Sequence, residues 1–455
     1  MYLVLVVLLA LLWVLSFKKG GSNPVAPSAL FIGGFLISSL TAMVYSEKWG
    51  VSLGVPALLV VAVGNIVFAA VAYGVRALHN KYLVKRGARG KHHCYDLSNM
   101  FDESPSAVNY AVIGIVQIAI FFITLVYIQQ RFPDMLLGDA IRSYNAAETF
   151  TTEDMNFPAP FRQIRGLVVN GGYVVAFFAG REIARGISKG LVPPMICLVL
   201  SVALILELGT RTEAVVLAIC VGVVYFLERK KMAPDQPLLN RKIVLCVVLT
   251  GAVGLLLFKY MAVGREVGSY STFDYLAEYV GAEIPNLDTF LTNTDIPVVR
   301  DLPGYMTFAN NYGYLGEKLG IDSWVYTFDL PFLRSNGYDM GNVYTTFYAY
   351  LYDFGYWGLV PLVALMAACS QLTFELAFRR GFLGIACGVL YGKMASTLLL
   401  SFFSNKFYEV FYLGFVVAAA CMALFYFLFM FPSRRRLDAA LSVIRGLWSR
   451  SAHGK

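Results

Sequence analysis

A guanidinium group is well suited to holding a phosphate: it is planar, stays charged throughout the physiological range and donates two parallel hydrogen bonds to one anion. Arg211 lies in Leu206-Glu207-Leu208-Gly209-Thr210-Arg211-Thr212-Glu213, a tight connector between two apolar runs, and Arg265 follows Lys259 at the end of another run. Arg334 falls inside the long polar and aromatic segment from Gly264 to Tyr352, where acidic residues such as Glu266, Asp274, Glu283 and Asp288 outnumber Arg265, Arg300, Lys318 and Arg334. In so acidic a segment each cation is conspicuous. Arg211, Arg265, Lys259 and Arg334 are therefore candidates for binding phosphate oxygens, with Arg211 and Arg265 placed to stabilise negative charge developing on a departing phosphate. The competing role for Arg211 is an ion pair with Glu207 or Glu213, or anchoring at the membrane surface.

The same segment ends in Gly341-Asn342-Val343-Tyr344-Thr345-Thr346-Phe347-Tyr348-Ala349-Tyr350-Leu351-Tyr352-Asp353-Phe354-Gly355-Tyr356-Trp357-Gly358. On a helix, Asn342, Thr345 or Thr346, and Asp353 share one face, with the small Ala349 between them. Asn342 is then the expected N-cap, and the helix start presents free N–H groups that favour a phosphate. A helix from Asn342 to Phe374 would be about 48 Å long. A bilayer core is only about 30 Å thick. The first turns are expected to stand outside the hydrocarbon, or the helix to break at Gly355. The alternative is an interfacial aromatic belt, for which the tyrosines suffice.

Other groups are less well placed. Lys393 sits near the middle of an apolar run, where structural pairing is the simpler role. His92-His93-Cys94 with Asp96 has no second cluster to complete a metal site, so no metal and no cofactor is expected. No phosphate-binding loop, dinucleotide fingerprint or HExxH motif occurs.

The elements that must position these residues are membrane helices. The chain is 58% hydrophobic and only 15% charged, with a mean hydropathy of +0.63. Soluble domains are nearer half apolar and a quarter charged. The net charge of +8 comes from short basic clusters between apolar runs, which excludes a nucleic-acid groove and marks topology instead. Six of seven cysteines lie in apolar runs, so no disulfide framework is implied.

Runs of about twenty apolar residues predict eleven helical spans. They lie near Tyr2 to Phe17, Pro27 to Tyr45, Val51 to Val75, Ala107 to Tyr127, Gly166 to Gly180, Leu191 to Leu208, Thr212 to Leu227, Ile243 to Val263, Phe354 to Phe374, Phe382 to Phe402 and Val410 to Phe431. The fold class is thus an all-α polytopic bundle forming a single membrane-embedded domain over 1–455. Basic residues crowd alternate connectors, which places the amino terminus outside and the carboxyl terminus in the cytoplasm. The connector 128–165 and the large loop 264–352, which carries short helices, then face outwards. All four histidines fall on the inner side, and 432–455 forms a basic amphipathic tail on the inner membrane surface. No internal repeat supports an inverted-repeat transporter.

The stretch Gly341 to Thr345 through Tyr352 to Gly358, with the Gly209-Thr210-Arg211-Thr212 hairpin, resembles the bacterial oligosaccharide repeat-unit polymerases, the Wzy-type or O-antigen polymerases. The layout of many spans and two large outer loops is similar along most of the chain. The resemblance implies a metal-independent glycosyltransferase of the membrane-embedded GT-C kind in a bacterial cytoplasmic membrane. Such an enzyme moves a glycan from undecaprenyl pyrophosphate onto a new lipid-linked repeat unit. It implies membrane lipid and the lipid-linked oligosaccharide as partners and leaves room for a length-regulating protein. Asp353 would accept the acceptor hydroxyl's proton, and Tyr344 and Tyr348, with Asn342 and Thr345, would line the sugar site. The related ligases use an outer-face histidine, absent here. A lipid-linked oligosaccharide flippase, a ligase and a non-enzymatic assembly scaffold are the alternatives.

Overall fold

The computed structural model describes residues 1–87, 104–150, 157–186, 190–208, 211–236, 238, 241, 245, 272–326 and 330–430. Apolar runs in hydrocarbon must satisfy their own backbone, and helices follow. They are α1 (Tyr2–Lys19), α2 (Pro27–Trp49), α3 (Val55–Gly87), α4 (Ala107–Arg131), α5 (Leu137–Phe150), α6 (Ala159–Arg185), α7 (Val192–Leu206) and α8 (Arg211–Met232). Next come α9 (Thr272–Gly281), α10 (Glu283–Asn293), α11 (Ala309–Leu319), strands β1 (Leu333–Ser335) and β2 (Tyr338–Gly341), α12 (Thr346–Ala377), α13 (Gly381–Leu399), α14 (Lys406–Val410) and α15 (Phe415–Met430). The boundaries have local causes. Pro27 opens α2 where its missing N–H costs nothing, and Gly50, at φ 64°, ends it in the left-handed region. Ser106 caps α4 by accepting the Asn109 N–H.

Among the described residues seven helices are long and apolar enough to cross a membrane: α1, α2, α3, α4, α6, α12 and α13 with its last turn to Phe402. Two shorter apolar helices, α7 and α15, fall at expected spans, and α8 covers a third. The protein is an all-α, multi-pass membrane protein, apart from one small antiparallel hairpin. The expected eighth span, the His92-His93-Cys94 group and the tail after Pro432 lie outside the described residues.

The chain packs as two compact units. The first comprises Met1–Lys91, Phe226–Phe378 and Leu390–Val416. Its core is aromatic: Phe31 stacks on Phe68 at 4.2 Å and Phe35 on Phe347 at 4.9 Å. A Cβ at Gly64 would stand 2.4 Å from the Phe347 ring, so α3 and α12 approach this closely because residue 64 has no side chain.

Helices α9 and α10 form a hairpin that turns back into this unit. Asp274 pairs with Lys48 at the end of α2, at 2.5 Å, while Gly281 lies against Thr41 and Ala42. Glu283 is reached by the hydroxyl of Ser38. From Lys48 to Ser38 is about 15 Å along a helix. The hairpin thus runs about that distance down α2 and returns, with Asp288 accepting the Gly54 N–H at 3.0 Å. All seven residues from Gly281 to Leu287 are buried. This part of the segment 264–352 is therefore re-entrant into the protein, its backbone enclosed by the surrounding helices.

At the same end, Asn336-Gly337 turns β1 into β2, with φ of 48° and 80°, and Arg334 faces Asp339 across the pair. The hairpin rests on α2: Ser335 Oγ donates to the Trp49 carbonyl and Asn336 Nδ2 to that of Lys48.

The second unit comprises His92–Tyr225, Arg379–Val389 and Val417–Lys455. Here α4, α6 and α7 pack side by side, and Gln117 of α4 donates to Ser201 of α7 at 2.8 Å. The connector 128–165 carries α5, whose Ala140 and Tyr144 pack on Ile128.

Candidate functional site at a broken helix

Helix α12 is two helices joined at Gly355, where φ 59° and ψ −157° are reachable by glycine and strained for any other residue. This is the break expected from the length of the run. A break exposes carbonyls that lose their helical donors. The segment after α10 supplies replacements: Val298 N–H donates to the Tyr352 carbonyl at 2.7 Å, and the Thr307 hydroxyl to that of Ala349 at 3.2 Å. Pro297 lies over Gly355, where an added Cβ would meet its ring at 3.2 Å.

Asp353 fastens the same segment. One carboxylate oxygen accepts the Met306 N–H at 3.0 Å, and the other accepts the Thr307 N–H at 2.6 Å. Both oxygens of Asp353, expected to take a proton from a substrate hydroxyl, thus accept backbone N–H groups. The side chain holds the loop ahead of α11, and α11 in turn is docked by Asn310 on the Glu409 carbonyl and by Leu413 N–H on Asn311.

Beside the break stands Arg300. Its Nε donates to the Tyr352 hydroxyl at 2.8 Å, and its guanidinium lies 5.5 Å from the Tyr305 ring centre and 5.9 Å from that of Tyr352. Tyr305 is itself stacked on Tyr326 at 4.2 Å, and Tyr326 donates to the Tyr305 carbonyl at 2.8 Å. The residue is exposed, and among the described residues it has no carboxylate at ion-pair distance. Two rings and one phenol thus orient a cation whose terminal nitrogens remain available for an anion. Next to it in the chain Val299 is 92% exposed, and just past the break Tyr356 is half-exposed and Trp357 91% exposed. That mixture belongs at a membrane–water boundary.

The predicted residues are distributed unevenly around this centre. Tyr344 and Tyr348 are buried, 4.4 Å apart, with Phe290 4.4 Å from Tyr348 and Tyr352 closing the ladder at 5.8 Å. The rings expected to stack on sugars thus pack on one another and on Phe290 and Tyr352. Burial also pushes the Tyr344 phenol up to about 12, and it donates to the Pro331 carbonyl. Asn342 is not the cap: the helix begins at Thr346 behind Thr345, and Asn342 sits half-buried in the exit from β2. Thr345 is buried, its hydroxyl without a partner among the described residues. Thr346 donates to the Tyr350 hydroxyl at 2.8 Å. Arg334 is exposed and neutralised by Asp339 at 2.6 Å. Lys259 and Arg265 lie outside the described residues.

Arg211 opens α8 in the second unit, its side chain outside the description. The carboxylates it was weighed against are engaged: Glu207 accepts from Arg165 at 3.1 Å, and Glu213 accepts from the Tyr173 hydroxyl at 2.5 Å. Lys393 is buried on α13 in the first unit, below Ser396, Thr397 and Ser401, whose hydroxyls bond back to their own helix.

Sequence reasoning counts Arg300 among the conspicuous cations of the acidic segment but gives it no role, since spacing alone does not bring Tyr305 and Tyr352 to it. The signal was indirect: Ile296-Pro297-Val298-Val299-Arg300-Asp301 is an apolar stretch ending in a charge pair inside an acidic loop. A scan against protein-family models and searches of curated proteins and of solved structures find no match to this chain.

Proposed function

We propose that the protein polymerises lipid-linked oligosaccharide repeat units on the outer face of a bacterial cytoplasmic membrane, transferring a glycan from its polyprenyl pyrophosphate to the end sugar of a second lipid-linked unit. The reading rests on the sequence resemblance. The observation that supports it most directly is Arg300: an exposed guanidinium oriented by Tyr305 and Tyr352 at the break in α12, next in the chain to the exposed Val299. A lipid pyrophosphate needs both features at one place, a fork of donors for the anion and an apolar bank for the chain. Transfer from pyrophosphate demands stabilisation of the departing negative charge more than activation of the attacking hydroxyl. In this scheme Arg300 is a cation for that charge, and Asp353 fixes the loop that carries it. Asp301, exposed and adjacent in the chain, is the carboxylate open to the acceptor hydroxyl.

The test is incubation of purified, bilayer-reconstituted protein with lipid-linked repeat units. A ladder of products supports polymerisation, single transfer to another acceptor makes it a ligase, and translocation without new bonds makes it a flippase. Arg211→Ala and Arg265→Ala are expected to abolish polymer while the protein stays in the membrane. Normal chain lengths from both variants would overturn their assigned roles.

A further inference from the structure

The carboxyl of Glu283 takes no part in the site above, yet it is the most enclosed acidic group described in the first unit. It is 0% exposed at the tip of the re-entrant hairpin, between Gly281-Ala282 and Ile284, themselves buried. Ser38 Oγ donates to it at 3.5 Å and the Glu283 backbone N–H bonds the carboxyl as well, while Oε1 has no hydrogen-bond partner among the described residues. Ser39, next along α2, also has a buried hydroxyl without a partner.

Among the described residues no cation acts on it from the elements packed on the hairpin. From α2 the charged groups are Glu47 and Lys48, more than two turns away, and Lys48 is committed to Asp274. Along α3 the sequence from Val55 to Ala72 carries no ionisable residue. From β2 come Tyr338 and Asp339, and the hairpin itself adds Asp274, Glu278 and Asp288, all acids. An ionised carboxylate in this position would go unpaired, at a cost far above that of the neutral acid. Burial accordingly pushes the Glu283 carboxyl well up.

We propose that Glu283 is a proton-binding site whose occupancy seats the α9–α10 hairpin: protonated, the tip stays inserted against Ser38; ionised, it is driven out towards water. The sign follows from linkage. With the inserted form holding its proton more tightly than the withdrawn one, insertion is fully favoured below the ordinary carboxylate range. It then weakens by about tenfold per pH unit as pH rises towards the inserted-state value. Glu278 modulates the response. It is half-buried on α9, and burial, then Asp339 and Asp274, raise it to about 7, against the lowering effect of Lys48. The inference holds whichever reaction the protein performs.

The experiment is labelling of Ala282→Cys in the full-length, reconstituted protein with a membrane-impermeant thiol reagent from pH 5 to pH 9, the native cysteines replaced. Labelling is expected to rise with pH and to stay low and nearly flat when Glu283→Gln is added, while Glu278→Gln keeps most of the rise. A rise that survives Glu283→Gln, or one that disappears with Glu278→Gln alone, would overturn the assignment. So would labelling that follows sodium concentration at fixed pH, since the occupant would then be a metal cation. Hydrogen exchange across 278–287 in the unsubstituted protein reads the same equilibrium without any cysteine. Protection there that falls with pH supports the proposal, and protection unchanged across the range overturns it.

Discussion

The Arg300 Nε lies 2.8 Å from the Tyr352 hydroxyl, so the last tyrosine before the helix break is the hinge post of an exposed guanidinium. On the proposed function, Arg300→Ala should lower the rate of glycan transfer by roughly 100-fold, the scale on which removal of one charge-stabilising donor is felt. Arg300→Lys keeps the charge but not the fork and should recover only part of it. Tyr352→Phe keeps the ring and frees the guanidinium, so the loss should be severalfold, with unchanged thermal stability. Rates measured on reconstituted protein check all three.

Asp353→Asn separates two roles that a loss of activity alone would confuse. As a positioning group it accepts from Met306 and Thr307, and an amide can replace only one of its two accepting oxygens. The variant should lose about 1.5–3 kcal/mol of stability and become sensitive to proteolysis between 298 and 308. Full stability with a collapsed turnover rate and an altered pH profile would restore it as a base.

Gly355→Ala probes the break itself. The backbone there has a positive φ, and the added methyl meets Pro297 at 3.2 Å. Destabilisation of about 1–3 kcal/mol is expected from the strained conformation, visible as a lower unfolding temperature in detergent. A neutral result would mean that α12 can run straight.

Asn286→Ala tests how the hairpin is tied to the start of α12. The buried Asn286 side chain donates at 2.9 Å to both the Met340 and Val343 carbonyls. Losing both should cost about 1–3 kcal/mol, and Asn286→Asp should be worse, because a carboxylate offers those carbonyls no donor. Thermal unfolding of the two variants side by side gives the order.

Much of the scaffold could be read directly. Twenty-residue apolar runs admit one backbone solution in lipid, and α1, α2 and α3 fall where those runs fall. The break at Gly355 was legible too, because an over-long run containing a glycine has few ways to fit a bilayer. Asn342 misled because a polar residue after glycine is as good a strand exit as a helix cap, and the deciding feature was upstream. Asn336-Gly337 between Leu333-Arg334-Ser335 and Tyr338 is a strong hairpin signal, and it fixes Gly341 at the end of β2. The tyrosine ladder could not be told from a sugar platform by spacing, since helical repetition serves burial and display equally. The re-entrant tip escaped because Gly281 to Leu287 is too short for a span and carries Glu283 and Asn286, so its enclosure depends on a slot made by α2, remote in the chain.

That remoteness has a price during synthesis. Ser38 and Glu283 meet across 245 residues, and at about 5–20 residues per second a ribosome takes about 12 to 50 seconds to deliver the second after the first. For that interval the groove on α2 exists without its occupant, and the hydroxyls of Ser38 and Ser39 wait for a segment that is made much later and must fold back onto them. Membrane chaperones and quality-control proteases would meet the nascent chain in that half-built form, and a sequence change confined to the groove would be felt as lost protein before it was felt as lost activity.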